Sequence, residues 1–566
     1  MDDLRLNGWR REGLTMHRAL TTLAALLLSA SAQAGSKVSA TFSENPIVYF
    51  AVTDRYANGN PGNDHSYGRA ADPAGGDVGS FHGGDIAGIT QQLKAGYFRD
   101  LGVNALWITA PYEQIHGWVV GGKQQFRHYA YHGYWALDYT TMDANMGTRE
   151  ELREMIDTAH AQGIRVLFDV VLNHPGYADL RTLAEYKVPV LWPGHEKAVL
   201  RDYHSFIDYN NFEFKQWWGP DWVRAGLPGY PDGGKDDFTM QLAYLPDFRT
   251  ESSKAVGLPP ILQRKADTRA VALPDTTVRA YLVHWLADWV REFGVDGFRA
   301  DTVKHVEAAS WLALRAAATD ALADWKTRHP QQKIDDAPFW MTGEAWGHGP
   351  ERSSWHDAGF DSMINFDFQH RAAGDWKSID GVYRQYAGLL GKRIGNEPRH
   401  DILSYISSHD TSLFPRDRLK HGLSALLLAP GGVQLFYGDE SARQPGAAPI
   451  GDEQQATRSD MNWNSLDSAT LAHARKLGQF RLRHPALARG EHRFIHEQPY
   501  AFARVTKEDA IIAVPEALGT IELKVHGVFA DGTPLRDAYT NQTYIVKDGA
   551  IAVNAAGTVL LEKAAP

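Results

Sequence analysis

The stretch Gly297-Phe298-Arg299-Ala300-Asp301-Thr302-Val303-Lys304-His305 places four ionisable side chains within seven residues, at the end of the apolar-edged run 294–298. That run is too short for a helix, and in a strand alternate residues share a face, so Arg299 and Asp301 point the same way. A guanidinium beside a carboxylate favours its ionised form, and an ionised, oriented Asp is a usable nucleophile. Alone, this spacing would equally describe a surface ion pair where a strand enters a helix. Three other strand-like runs also end in polar chemistry: 164–172 in Asn173-His174, 339–343 in Glu344, and 402–408 in His409-Asp410. Two carboxyl groups on neighbouring strand ends suit paired acid and nucleophile work on one substrate.

Such residues need a scaffold that brings strand ends together. Strand patterns at 47–53, 103–109, 164–172, near 295, near 339, 363–368, 402–407 and 433–437 alternate with helical patterns at 85–101, 148–162, 276–293, 306–328, 376–391, 413–429 and 468–483. Eight strands interleaved with helices, with chemistry at the strand C-terminal ends, predict an α/β fold, a (β/α)8 TIM barrel. Between 173 and 275 the periodicity breaks down in a segment rich in Gly, Pro, Trp and Tyr. It is too long for a plain loop and reads as a protruding subdomain after strand 3. From 485 to 566 short alternating strands predict a C-terminal antiparallel β-sandwich, leaving 35–172 and 276–484 as the two parts of the barrel.

The N-terminus reads as an export signal over 1–34. Met16-His17-Arg18 is a short basic start, 19–30 is apolar, and Ala32-Gln33-Ala34 is a small-x-small cleavage site. Met16 is an alternative start, and the apolar run is too short for an ordinary membrane span. The 566 residues are 43% hydrophobic and 22% charged with a formal charge of −10, and no basic run favours nucleic acid. There is no cysteine, so disulfides and thiolate metal sites are excluded and any staple must be packing or a cation held through oxygen. The 17 Trp and 23 Tyr are compatible with sugar stacking, although most rings in any protein are core.

Taken together and in order, the four strand ends resemble the signature regions of the α-amylase family, glycoside hydrolase family 13. The resemblance runs more loosely from about Ile47 to the C-terminus. It implies that Asp301 is the nucleophile, Glu344 the general acid and base, and Asp410 the residue that binds hydroxyls of the reacting sugar. It further implies that Arg299, His174, His409, Tyr134, His132, Lys304 and His305 contact substrate. Retaining hydrolysis requires Glu344 protonated while Asp301 is not, so Arg299 is expected to lower the pKa of Asp301 and desolvation to raise that of Glu344.

The same resemblance implies calcium at one or two structural sites. Asn58, Asn60, Asn63, Asp64, the Gly83 carbonyl and Asp85 would form one; Asn173, Asp247 and the His305 carbonyl would form the other, tying the insert to the strand ends. Leu245-Pro246-Asp247 looks more like α-amylases than α-1,6-glucosidases, and Ala243 stands where cyclodextrin-forming relatives place a bulky aromatic. The Gly343–Gly349 stretch resembles exported bacterial α-amylases of the periplasmic type. The expectation is thus an exported, monomeric α-1,4-glucan hydrolase, periplasmic or secreted, without stable membrane insertion. An α-1,4-glucanotransferase of the same fold and a silent glucan-binding protein are the alternatives.

Overall fold

The computed structural model describes residues 42–391 and 399–564, and the expected signal segment 1–34 lies outside the described residues. Eight parallel strands close into a barrel: β1 (Ile47–Ala51), β2 (Ala105–Ile108), β3 (Arg165–Val170), β4 (Gly297–Ala300), β5 (Trp340–Gly343), β6 (Ser362–Asn365), β7 (Asp401–Tyr405) and β8 (Gly432–Phe436). Each neighbours the next in sequence, and β8 returns to β1 through Ile47 opposite Val433. Every residue of these strands is buried, since side chains on one face fill the barrel and those on the other meet the helices.

Register decides which side chains meet. Arg299 lies directly opposite Asp169 on β3 and Thr342 on β5. The chain then continues in step, because Asp301 N donates to the Val170 carbonyl and Glu344 N to the Ala300 carbonyl, both at 2.9 Å. Gly297, one turn of the pleat below Arg299, leaves no room for a side chain: a Cβ there would sit 2.3 Å from the Trp340 carbonyl oxygen and 2.7 Å from Leu167 Cδ2. The strands carrying the charged residues can therefore approach each other closely.

The helix Val278–Phe293 shows how sequence supports that strand. Thr277 caps it by accepting from Ala280 N, and Gly294 ends it at φ 76°. Its Tyr281, Leu282, Trp285, Leu286, Trp289 and Phe293 recur at helical spacing and are buried. Burying each large apolar side chain contributes roughly 1.5–3 kcal/mol before entropy is subtracted. The expected helix over 85–101 is shorter. It runs from Ile86 to Lys94, capped by Asp85, and Gly96 at φ 77° separates it from a single turn, Tyr97–Asp100. A left-handed residue cannot continue a right-handed helix.

The insert is largely irregular and is fastened by aromatic packing and buried charge. A two-residue ribbon pairs Val223 with Phe248 and Arg224 with Asp247. Trp222 stacks on Trp285 with centroids 5.5 Å apart, and Trp218 meets Phe248 edge-on. Lys265, fully buried, lies 2.8 Å from Glu113 and 2.7 Å from Asp267. Beyond the barrel, β9 (Glu491–His496), β10 (Ala501–Val505), β11 (Ala510–Lys524), β12 (Pro534–Asp537), β13 (Thr543–Ile545) and β14 (Ala550–Lys563) form one antiparallel sheet in the order β9-β10-β11-β14-β12-β13. The two long strands outrun the others, and Leu523, Ile551 and Val553 from their far half share a core with Ala501, Ile512 and Leu561, so the sandwich is one sheet folded over. Among the described residues no helix is long and apolar enough to cross a membrane.

Candidate active site

The C-terminal ends of β3, β4 and β5 bring three carboxyl groups around one guanidinium, and the segment after β7 adds Asp410 beside them. Arg299 Nη1 lies 2.8 Å from Asp169 Oδ1 and 2.8 Å from Asp301 Oδ1, while its Nη2 lies 2.9 Å from Glu344 Oε2. The planar fork holds Asp301 and Glu344 side by side, and the two carboxyls are themselves in hydrogen-bond contact. Glu344 Oε2 also accepts from Thr302 N at 3.3 Å. Trp107 and Tyr134 cover the guanidinium, 5.1 and 5.8 Å from their ring centres.

Burial outweighs charge pairing for the central carboxyls. It pushes Asp301 up to about 6 against the pull of Arg299, with Asp169 and Asp410 adding to the rise. It pushes Glu344 up to about 7, again against Arg299 and with help from Asp301. Arg299 lowers Asp301 and burial raises Glu344, as expected; unexpected is that loss of water at the barrel rim raises Asp301 more than the guanidinium lowers it. The required order survives, with Glu344 holding its proton more tightly than Asp301. Asp410 differs, because although burial raises it, His409 and Arg458 outweigh that and hold it well below the usual carboxylate range. Arg458 Nη2 lies 2.8 Å from Asp410 Oδ1, and His409 Nε2 lies 2.8 Å from Asp410 Oδ2.

The remaining expected contacts fall around this centre. The Tyr134 hydroxyl donates to Asp169 Oδ2 at 2.9 Å and lies 2.7 Å from His409 Nε2. His132 Nδ1 accepts from Tyr134 N at 3.1 Å, and the His132 and Tyr134 rings stack. His174 bonds the Tyr134 backbone, and burial lowers its pKa to about 4. His132 is lowered well below its ordinary value by burial too, so His132 and His174 are neutral near pH 7 and suited to sugar hydroxyls, while His409 is paired with Asp410. Lys304 and His305 sit on the turn after Asp301; His305 Nδ1 lies 2.8 Å from the Asp237 carbonyl of the insert.

Three participants escape a reading of motifs. Asp169 lies inside a run that looks like plain strand, yet it orders Arg299, Tyr134 and Trp107, whose indole N–H donates to it at 3.2 Å. Its position three residues before the end of the run 164–172, on the inward face, was the available signal. Trp107 looks like a core residue. Arg458 comes from an irregular segment after β8, and nothing in its local sequence points to Asp410.

Both candidate cation sites keep a buried amide oxygen without a partner. In the first, Asn63 Oδ1 is buried and unpaired, and Asp64 is raised by burial with the Asn58 amide 2.9 Å away. A Cβ on Gly83, at φ 95°, would lie 2.7 Å from Asp64 Oδ1, so this wall admits only backbone. Asp85 is largely engaged, accepting from Gly88 N, Gly59 N and Asn60 N, and Asn60 Oδ1 accepts from Gly62 N. In the second, Asn173 Oδ1 is buried and unpaired, and burial pushes Asp247 up to about 7. Arg224 Nη1 is 2.8 Å from Asp247 Oδ2 and already supplies one positive charge. Unpaired oxygens beside carboxylates fit a hard cation, better in the first site than in the second. Among the described residues no three His, Asp or Glu side chains converge as a metal site, so either would draw on amides and carbonyls.

The family pattern described as the α-amylase catalytic domain matches residues 50–208. A periplasmic α-amylase of Escherichia coli (strain K12) is 46% identical over 529 residues, covering 89% of this chain and 76% of the relative. A cyclomaltodextrin glucanotransferase of Bacillus sp. (strain 38-2) is 24% identical over 494 residues, covering 84% of this chain and 60% of the relative. Among solved structures, an Anoxybacillus α-amylase superposes with a TM-score of 0.64 at 22% identity, covering 93% of this chain and all of the other.

Proposed function

We infer the activity from the premise that the chain belongs to the α-amylase family, glycoside hydrolase family 13: it is a glycoside hydrolase that cleaves α-1,4-glucosidic bonds in maltodextrins and starch chains. The observation that carries the mechanism is the single guanidinium of Arg299 gripping both Asp301 and Glu344. Such closeness suits a retaining enzyme, whose two carboxyls stand about 5–5.5 Å apart, rather than an inverting one, which needs room for water between them.

In this reading Asp301 attacks the anomeric carbon while Glu344 gives its proton to the leaving glycosidic oxygen, leaving a glycosyl ester on Asp301. Water then gives a proton to Glu344, its oxygen bonds the anomeric carbon, and the Asp301 carboxylate departs. Asp410, held ionised by His409 and Arg458, binds hydroxyls of the reacting sugar and favours its positively charged transition state. Asp169 acts through Arg299 and is a positioning residue, while Tyr134 offers its ring to the reacting sugar and its hydroxyl to Asp169. We take the enzyme to be exported, as the similarity to a periplasmic relative supports, and to act as a monomer, since one chain supplies every group named. A time course with maltoheptaose tests the activity. Shorter products that first appear as α-anomers are expected, whereas β-anomers would refute retention, and only longer products would favour the transferase.

Calcium enters as a structural ion, with Asn58, Asn60, Asn63, Asp64, the Gly83 carbonyl and Asp85 as its principal holders and Asn173, Asp247 and the His305 carbonyl as a weaker set. Bound there it would neutralise buried carboxylate and pin the loop to the barrel. At a hundredfold excess over its Kd one such ion stabilises the fold by about 2.7 kcal/mol. Thermal unfolding should therefore shift downward on chelation, and Asp64→Asn should abolish most of that shift while Asp247→Asn removes less. An unfolding temperature that ignores chelator would remove calcium from the account.

A further inference from the structure

The ribbon that fastens the insert puts a fixed positive charge at the second candidate cation site. Arg224 stands directly opposite Asp247, and its Nη1 lies 2.8 Å from Asp247 Oδ2 and 3.4 Å from Glu251 Oε2, while its Nη2 pairs with Glu251 Oε1. The pair is enclosed, with the Arg224 side chain 12% exposed and that of Asp247 2%. Burying such a charge is costly unless it is paired, and here one guanidinium spans two carboxylates. Glu307 adds negative charge beside Asp247, and Arg279 balances it at 2.5 Å. The first candidate site has no comparable partner: Asp64 accepts from the Asn58 amide, and Asp85 from the backbone of Gly59, Asn60 and Gly88.

The contacts around Asp247 join three parts of the molecule. Phe248 N donates to the Asn173 carbonyl beyond β3 at 2.8 Å, and the Thr250 hydroxyl donates to Glu307 Oε2 at 2.9 Å. Glu307 precedes the helix Ala308–Arg328 and follows the turn Val303–His305, whose Val303 N donates to the Glu344 carbonyl at 2.8 Å. The segment therefore ties the insert to the end of β3 and to the turn behind Asp301. A bridging dication at Asp247 would make the same tie. Asn173 Oδ1, buried and unpaired, is a ligand atom that the planar guanidinium leaves unused.

We propose that Arg224 is a built-in counterion: its guanidinium takes the place of a calcium ion at Asp247, so that the insert is fastened beside the catalytic centre without metal. The inference refines the calcium reading above by confining the ion to the set around Asn63, Asp64 and Asp85. A dication entering between Asn173 and Asp247 would meet the repulsion of Arg224 and would have to displace it from its partner. Arg224 is thus a positioning residue, acting through Asp247 and the turn that follows Asp301.

The test is whether removing the arginine creates a response to calcium. Unfolding temperature, calcium binding by calorimetric titration and kcat on maltoheptaose are measured in chelator and in excess calcium. The proteins are wild type, Asp64→Asn, Arg224→Met, Arg224→Lys and the double variant Asp64→Asn/Arg224→Met. Asp64→Asn alone should respond little, because the second set already holds its cation. The double variant should regain a response, unfolding lower than Asp64→Asn in chelator and recovering in calcium. Its calcium affinity at Asp247 should be at least about tenfold tighter, the scale on which one neighbouring charge moves an ionisation. Its kcat should fall in chelator and return with calcium, a rescue that the loss of an ordinary ion pair does not give. Adding Asp247→Asn should abolish that recovery, and Arg224→Lys, which keeps one positive charge, should stay indifferent to calcium. A calcium shift that persists in Asp64→Asn and vanishes on adding Asp247→Asn would overturn the proposal, and this comparison needs no Arg224 variant to fold. A folded double variant that ignores calcium would overturn it as well and leave Arg224 an ordinary ion pair. A wild type indifferent to calcium would remove the ion from the first site, and recovery of Arg224→Met in calcium would then support the counterion while its absence would refute it.

Discussion

Asp301→Asn is expected to lower kcat on maltoheptaose by about 10⁴-fold, equivalent to about 5.5 kcal/mol of transition-state stabilisation, while leaving oligosaccharide affinity nearly intact. The amide keeps the shape of the carboxylate and can still accept from Arg299, but it cannot form the glycosyl ester. The fold should not suffer. Asp301 is one of four carboxyl groups crowded near Arg299 and Arg458, and its charge raises the pKa of Glu344. Removing it relieves like-charge repulsion in a buried place, so the variant should unfold no lower than wild type. Calorimetric titration with maltoheptaose and a thermal melt check both halves. A variant that turns over at a tenth of the wild-type rate would sink Asp301 as nucleophile, and one that has lost stability would show that the carboxylate holds the fold.

Glu344→Gln is expected to cost about 10²–10⁴-fold on maltoheptaose, because the sugar leaving group needs the proton that Gln cannot give. The pH profile adds a sharper signature. In wild type, activity should rise as Asp301 loses its proton near pH 6 and fall as Glu344 loses its own near pH 7. The sign follows from role: the nucleophile works only deprotonated and the acid only protonated, so the optimum lies between the two. Glycosyl fluorides leave without a proton, so with maltosyl fluoride the Gln variant should form its ester readily and show no decline on the alkaline side. A surviving alkaline limb on that substrate would assign the limb to another group. His132 and His174 are poor candidates for it, since burial lowers both and keeps them neutral throughout this range.

The sequence alone determined the barrel and the identity of the central residues. Strand periodicity puts Arg299 and Asp301 on one face, and a parallel barrel gathers the C-terminal ends of all its strands at one rim, so Asp301, Glu344 and Asp410 could be brought together from local patterns. A helix start was legible where its cap is local, as at Thr148. The break at Gly96 was not, because one glycine in a helical pattern does not announce its φ.

Only the tertiary structure decided how the site is charged. Whether Arg299 or burial controls Asp301 depends on desolvation, a sum over every group that displaces water at the barrel rim, and no spacing encodes that sum. Asp169 joins the centre through register between β3 and β4, Arg458 reaches Asp410 from 48 residues along the chain, and Arg224 meets Asp247 across a two-residue ribbon. Those pairings are long-range, and each residue's neighbours in sequence are silent about them.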